Sequence, residues 1–170
     1  DHYSKYISKN DKNSKQIFSD AAAAIIIEKS TTNKIGPFIF KTSGDGGKFL
    51  TVDKEKSKLY MDGPAVLKFS LNLVPEATYE LLNKANYKID DIDTFIFHQA
   101  SAVVLNKLKK KLNIEDMKWF NEIENIGNTV SATIPIAINI LQNDNKFSDN
   151  KKYLLMGFGV GLSVAGCILS

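Results

Sequence analysis

His98 and Asn128 are the side chains in this sequence best suited to polar chemistry, and each lies where an α/β fold builds its sites. His98 follows directly on the apolar run at residues 93–97 and precedes a helical pattern, so it sits at the C-terminal exit of a strand. An imidazole there can move a proton or donate one N–H to a developing negative charge. It can equally cap the helix that follows. Asn128 lies in Gly127-Asn128-Thr129, between an extended segment and a second helical pattern. Its carboxamide donates without titrating, yet Gly-Asn is also a common turn pair because both residues tolerate positive φ. Taken singly, neither residue separates a catalytic role from a structural one. The third segment, Gly157-Phe158-Gly159-Val160-Gly161, alternates glycines. A phosphate-binding glycine loop opens a helix, whereas a strand pattern follows here. The sequence therefore points away from a nucleotide cradle, to a tight loop whose backbone comes close to a neighbouring site.

The elements that must position these residues read as strands alternating with helices. Residues 21–28 are a small-then-β-branched run with the pattern of a buried central strand. Residues 35–41 predict a second strand, and 43–48 a loop. Apolar positions over 64–86 recur with helical spacing, Pro64 suiting the first turn and Pro75 predicting a kink or break. Residues 93–97 form a strand ending at His98. Residues 101–112 form an amphipathic helix with Val104, Leu105, Leu108 and Leu112 on one side and lysines mostly on the others. A short strand is predicted at 117–120, a turn at 125–129, and a helix over 131–142 interrupted early by Pro135. The last strands are 152–156 and 162–169. A short loop joins these two, so the sheet is predicted to be mixed, in a layered α/β fold.

A length of 170 residues suits one domain. The net charge of +3 is too small for a nucleic-acid footprint, and aromatics are not interleaved with the lysines. The polar opening segment lacks the apolar core of a secretory signal. The apolar stretch 153–170 is interrupted by small residues and falls short of a membrane span. A single cysteine, Cys167, excludes an internal disulfide framework and a cysteine-based metal site. No metal site and no membrane or nucleic-acid partner is predicted, and a cytoplasmic protein is the expectation.

Three ordered motifs carry a family resemblance. His98-Gln99-Ala100-Ser101 resembles HQAN, Gly127-Asn128-Thr129-Val130-Ser131-Ala132 resembles GNTSAA, and Phe158-Gly159-Val160-Gly161-Leu162 resembles FGGGF. All three belong to the β-ketoacyl-[acyl-carrier-protein] synthase III family. His98, Asn128 and Phe158 follow at equal intervals of 30 residues, in register with the family's spacing. Phe18-Ser19-Asp20-Ala21-Ala22-Ala23 resembles the family's FGDGAGA strand, so the resemblance covers nearly all of the chain from Phe18 onward. It implies the C-terminal half of a thiolase-like layered fold, with a mixed five-stranded sheet covered by helices. Residues 1–17 would be a lead-in from a missing N-terminal half, and 18–170 the C-terminal domain.

The resemblance also implies a mechanism. Family members use a Cys–His–Asn triad: the cysteine takes an acyl group from an acyl-CoA, and a malonyl thioester on acyl carrier protein decarboxylates and attacks it. His98 and Asn128 would be the catalytic oxyanion donors, with His98 neutral, and Phe158, Gly159 and Gly161 the active-site loop. Ser101, standing where the family has asparagine, would be a cofactor-binding position. Lys68, Lys110 and Lys111 match basic positions that dock acyl carrier protein, although Val103 replaces the family's docking arginine. No permanently bound cofactor is implied, acyl-CoA and malonyl carrier protein being substrates, and the complete enzyme would be a homodimer. The nucleophilic cysteine would lie outside this chain, since Cys167 falls inside the last strand as a small, inert position. Ser101, Val160 and Leu162 depart from the family pattern and leave open an acyltransferase of surface-glycan or secondary metabolism. A non-catalytic chain that completes a partner is a further alternative. A thiolase or hydroxymethylglutaryl-CoA synthase is disfavoured, because thiolase uses a second cysteine near the C-terminus and Cys167 lies past the glycine loop.

Overall fold

The sheet that positions His98 is built from four of the six strands among the described residues. It is identified here from a computed structural model that describes every residue except Lys54 and Lys56. A 3₁₀ turn at Tyr3–Tyr6 and the single-turn helix α1 (Lys12–Lys15) open the chain. Strand β1 (Ile35–Thr42) follows, then the hairpin of β2 (Leu50–Asp53) and β3 (Lys58–Met61), then the long helix α2 (Gly63–Ala85). After these come β4 (Thr94–Phe97), α3 (Ala102–Leu112), the short α4 (Ile123–Ile126), α5 (Thr133–Asn143), β5 (Tyr153–Gly159) and β6 (Ser163–Leu169). The main sheet has the order β1-β6-β5-β4, with β2 and β3 forming a separate two-stranded sheet. β4 and β5 are parallel, while β6 runs antiparallel to both of its neighbours. The layered α/β class and the mixed sheet are as expected, but the sheet has four strands where five were predicted.

Two predicted strands, 21–28 and 117–120, are absent from the sheet for the same physical reason: a strand needs a neighbour. The segment at 117–120 approaches β4 only through an isolated bridge between Trp119 and Phe95, and Asp116–Lys118 is a 3₁₀ turn. The run at 21–28, expected to be a buried central strand, pairs with no strand among the described residues. Ile25, Ile26 and Ile27 are 55%, 87% and 74% exposed. A continuous apolar run signals burial, and here nothing within the described residues supplies it. The outer face of β1 is similarly open, with Phe38 and Phe40 stacked on each other and exposed.

The core lies on both faces of the sheet. On one face α2 and α3 pack Leu81, Leu105 and Leu108 against Phe95, Phe97 and Leu154, all fully buried. Each such side chain contributes about 1.5–3 kcal/mol. On the other face α5 packs Ala137 and Leu141 against Ile96 and Tyr153.

The two prolines act differently from expectation. α2 runs unbroken for 23 residues with Pro75 buried inside it. Proline has no N–H, so the carbonyl four residues earlier, that of Leu71, loses its helical donor. The Lys111 ammonium on α3 donates to that carbonyl at 2.6 Å. Pro135 does not interrupt α5 but sits in its first turn, where backbone N–H groups have no helical acceptor anyway. α2 is capped by Asp62, which accepts from the Ala65 N–H at 3.0 Å, and ends at Asn86 in the left-handed conformation.

Candidate active site

His98 leaves β4 at the sheet's C-terminal edge, with its backbone N–H on the Met156 carbonyl of β5 at 2.8 Å. Gln99 then turns inward, fully buried. Its amide donates to the Phe97 carbonyl at 2.8 Å and accepts from the Glu122 N–H at 3.0 Å. The strand exit and the connection leading to Asn128 are thereby tied together. Ser101 caps α3, its hydroxyl accepting from the Val104 N–H at 3.3 Å.

Asn128 is held on every side but one. Its backbone pairs with the N-terminal segment: its N–H donates to Ile17, and its carbonyl accepts from Ser19, both at 2.9 Å. In the side chain, Oδ1 accepts from the Val130 N–H at 2.9 Å, and Nδ2 donates to the Ala100 carbonyl at 3.1 Å. A carboxamide nitrogen carries two hydrogens, so one remains to donate. Gly127 is required beside it: its φ is +67°, and a Cβ would meet the side chain of Ser19.

These elements enclose a cavity of about 460 Å³ lined by His98, Asn128, Ser101, Phe158, Gly159 and Thr133, among others. Among the described residues no charged side chain lines it. The Phe158 ring meets the His98 imidazole edge to face, with centroids 5.3 Å apart. His98 Nδ1 lies 2.7 Å from Thr133 Oγ1. Burial pushes the His98 pKa from 6.5 down to about 4, against an opposing hydrogen bond to the Val130 backbone. The ring is therefore neutral near pH 7.

The structure thus brings together His98, Asn128, Ser101, Phe158 and Gly159. Gly161 does not line the cavity; it forms the β5–β6 turn, with φ +139° and a backbone too close to Ser163 for any side chain. Cys167 does not line the cavity either, and burial pushes its thiol pKa up. Lys68 and Lys111 border a second, shallow groove of about 490 Å³ between α2 and α3, together with Lys107. Lys110 is exposed on α3 but does not line it. Sequence reasoning passed over Thr133, Val130, Gln99 and Tyr3. Of these, Gln99 and Val130 fall inside the recognised motifs, whereas Tyr3 and Thr133 carry no local signal. Among the described residues no helix is long and apolar enough to cross a membrane.

Comparison with known proteins places this arrangement. The family model for 3-oxoacyl-[acyl-carrier-protein (ACP)] synthase III C terminal matches residues 82–170. Beta-ketoacyl-[acyl-carrier-protein] synthase III of Staphylococcus haemolyticus (strain JCSC1435) is 33% identical over 170 residues, covering 99% of this chain and 54% of that protein. The protein of the same name in Staphylococcus aureus (strain Newman) is 35% identical over 164 residues, covering 96% and 52%. A crystal structure of 3-oxoacyl-(acyl-carrier-protein) synthase III superposes with a TM-score of 0.86 at 34% identity, over 98% of this chain and 57% of that one. The enzyme of that name from Aquifex aeolicus VF5 gives a TM-score of 0.88 at 25% identity, over 98% and 54%. The chain spans about half the length of the curated relatives it matches. Its fold is the thiolase-like one of these neighbours. The chain belongs to the 3-oxoacyl-[acyl-carrier-protein] synthase III family, whose C-terminal part it matches.

Proposed function

We propose that this chain is the C-terminal catalytic half of a 3-oxoacyl-[acyl-carrier-protein] synthase III-like enzyme. The reaction is the decarboxylative condensation of an acyl-CoA primer with a malonyl group on acyl carrier protein, in fatty-acid synthesis. One observation carries this reading: His98 and Asn128, 30 residues apart in sequence, converge on a single cavity without a charged wall. Loss of carbon dioxide from a malonyl thioester builds negative charge on the thioester oxygen. Neutral donors aimed at that oxygen stabilise it, and most strongly where water is excluded. Asn128 has a spare Nδ2 hydrogen for this, and His98 has its Nε2 uncommitted after Nδ1 meets Thr133. A carboxylate in either place would repel the enolate. Phe158 and Gly159 form the wall beside the imidazole, and Ser101, at the cap of α3 on the cavity wall, is the cofactor-binding position, taking acyl-CoA.

The nucleophilic cysteine comes from a part of the complete enzyme outside this chain. Cys167 has no place on the cavity wall, and its raised pKa disfavours the thiolate. Residues 1–17 would lead in from the preceding half, and 18–170 form the C-terminal domain. The exposed Ile25–Ile27 run and the open Phe38–Phe40 face are where the rest of the enzyme would cover this half. Lys68, Lys110 and Lys111 would dock acyl carrier protein, an acidic partner. The complete enzyme would be a cytoplasmic homodimer without a resident cofactor.

Radiolabelled acetyl-CoA tests the division of labour. The expected result is no stable label on the 170-residue chain, and label on a cysteine outside it in the complete enzyme. Stable acetylation of Cys167 overturns the proposal. A second reading rests on Ser101 and Val160 on the cavity wall and on the buried Leu162, which depart from the family motifs: an acyltransferase of surface-glycan or secondary metabolism on the same site. A scan of acyl-CoA primers of increasing length and of non-malonyl acceptors separates the two.

A further inference from the structure

We infer that Tyr3, stacked on Phe18, closes the end of the cavity that receives the acyl tail, and so selects short acyl groups over long ones. The inference rests on the proposed condensation, which fixes the direction the tail takes. The cavity has two sides, set by the helices on the two faces of the sheet. Ser101 and Val104 of α3 and Leu67 of α2 line one side, and Leu67 also borders the groove between these helices. A thioester arm that enters past the cap of α3 lies along this side. Tyr3 and Phe18 line the cavity from the N-terminal segment. Asn128 bonds the backbones of Ile17 and Ser19, so Phe18 lies directly beside it, next to the turn that leads into α5.

The Tyr3 ring meets the Phe18 ring with centroids 5.0 Å apart and an angle of 33° between their planes. Its neighbours in sequence hold it there. The Asp1 carboxylate accepts from the Ser131 N–H at 3.1 Å and from the Ser131 hydroxyl. Ser4 donates its N–H and its hydroxyl to the Asp20 carboxylate at 2.8 and 2.5 Å. Ser131 belongs to the turn after Asn128, and Asp20 follows Phe18 by two residues. The short turn that carries Tyr3 is thus fastened to the cavity rim at both ends. Burial, with a smaller effect of Tyr6, pushes the Tyr3 phenol pKa up, so the ring stays neutral and suits an apolar tail.

The consequence concerns the primer. His98 and Asn128 hold the oxygen of the malonyl thioester, and the enolate carbon attacks the acyl carbonyl carbon. Reacting atoms wait about 3–3.5 Å apart, so the acyl carbonyl lies next to Asn128. The malonyl arm occupies the side of α2 and α3. The acyl tail therefore points the other way, towards Phe18 and Tyr3. Because Phe18 adjoins Asn128, little length separates the reacting carbonyl from the ring pair. Acetyl to butyryl groups fit into that space, whereas hexanoyl to decanoyl tails run into Tyr3. A side chain fixed by its neighbours does not move aside cheaply, since overpacking is destabilising.

The test measures kcat/KM for acylation of the complete enzyme with radiolabelled acetyl-CoA and octanoyl-CoA. The octanoyl-to-acetyl ratio should rise by about 10–200-fold in Tyr3→Ala. It should keep its native value in Tyr3→Phe, which retains the ring, and fall in Tyr3→Trp, which enlarges it. A ratio unchanged in both Tyr3→Ala and Tyr3→Trp overturns the inference. The 170-residue chain gives a second readout, free of the reaction: calorimetric titration with octanoyl-pantetheine. Tyr3→Ala should bind it more tightly than the native chain does, by about fourfold for each methylene admitted. Equal binding by the two overturns the inference. Tighter binding in Tyr3→Ala, where no acyl-CoA acylates the complete enzyme, upholds the role of Tyr3 and removes instead the reading of the site as a condensing one.

Discussion

Lowering the pH from 7 towards 4.5 protonates an ordinary histidine, but the fold resists this at His98. In the unfolded chain the imidazole takes its proton near 6.5; in the folded one, burial delays this to about 4. Between those values the unfolded state binds more protons, so stability falls as pH falls. The loss accrues at up to about 1.36 kcal/mol for each pH unit, which over the whole window comes to roughly 2–3 kcal/mol once the ring's partial contact with the open cavity is allowed for. That is a large share of the roughly 5–15 kcal/mol that holds a typical domain. His98→Asn removes the titrating group while leaving an amide N–H near Thr133. Urea unfolding, followed by the fluorescence of Trp119 buried against Phe97, measures both proteins in half-unit steps from pH 7.5 to 4.5. The native chain should lose roughly 2–3 kcal/mol relative to His98→Asn across this range. Asp11, Asp20 and Glu80 are held below their ordinary values by hydrogen bonds from Ser14, Ser4 and Lys41. Their contributions are present above the ordinary carboxylate range and vanish as pH falls through the depressed values, alike in both proteins. Parallel curves would refute the reasoning, because they would mean that His98 titrates in the fold as it does in water.

Gly161→Ala should destabilise the chain by about 1–3 kcal/mol, seen as a lowered urea midpoint, because φ is +139° and the new Cβ would lie 2.8 Å from the Ser163 nitrogen. Gly159→Ala, which meets open space, should leave the midpoint nearly unchanged. In the complete enzyme, Lys110→Glu should raise KM for malonyl carrier protein without lowering kcat. Lys111→Glu should do the same and also cost about 1 kcal/mol of stability, because it strips the donor from the Leu71 carbonyl that Pro75 leaves unbonded.

The environment of His98 was legible because its signals are local. A strongly apolar strand and an amphipathic stripe fix β4 and α3 within a residue of expectation. The convergence of His98, Asn128 and Phe158 was legible only through their common register. What failed depends on partners distant in sequence. Ala21–Ile27 reads as buried from its composition, but burial requires a neighbouring strand, and composition does not say where that strand is. Pro75 reads as a break because the lysine that satisfies Leu71 lies 40 residues away. Val130 has no residue signature for a left-handed backbone; a valine there would ordinarily argue against one. Thr133 was hidden for the same reason, since its contact with His98 follows from the turn that Val130 makes.

The central claim is that His98 and Asn128 together stabilise charge developing on a malonyl thioester. Decarboxylation of malonyl carrier protein by the complete enzyme isolates that step from acyl transfer. Replacing either residue with alanine should lower its kcat by about 10²–10³, with KM little changed. Loss of less than tenfold in both variants would contradict the account.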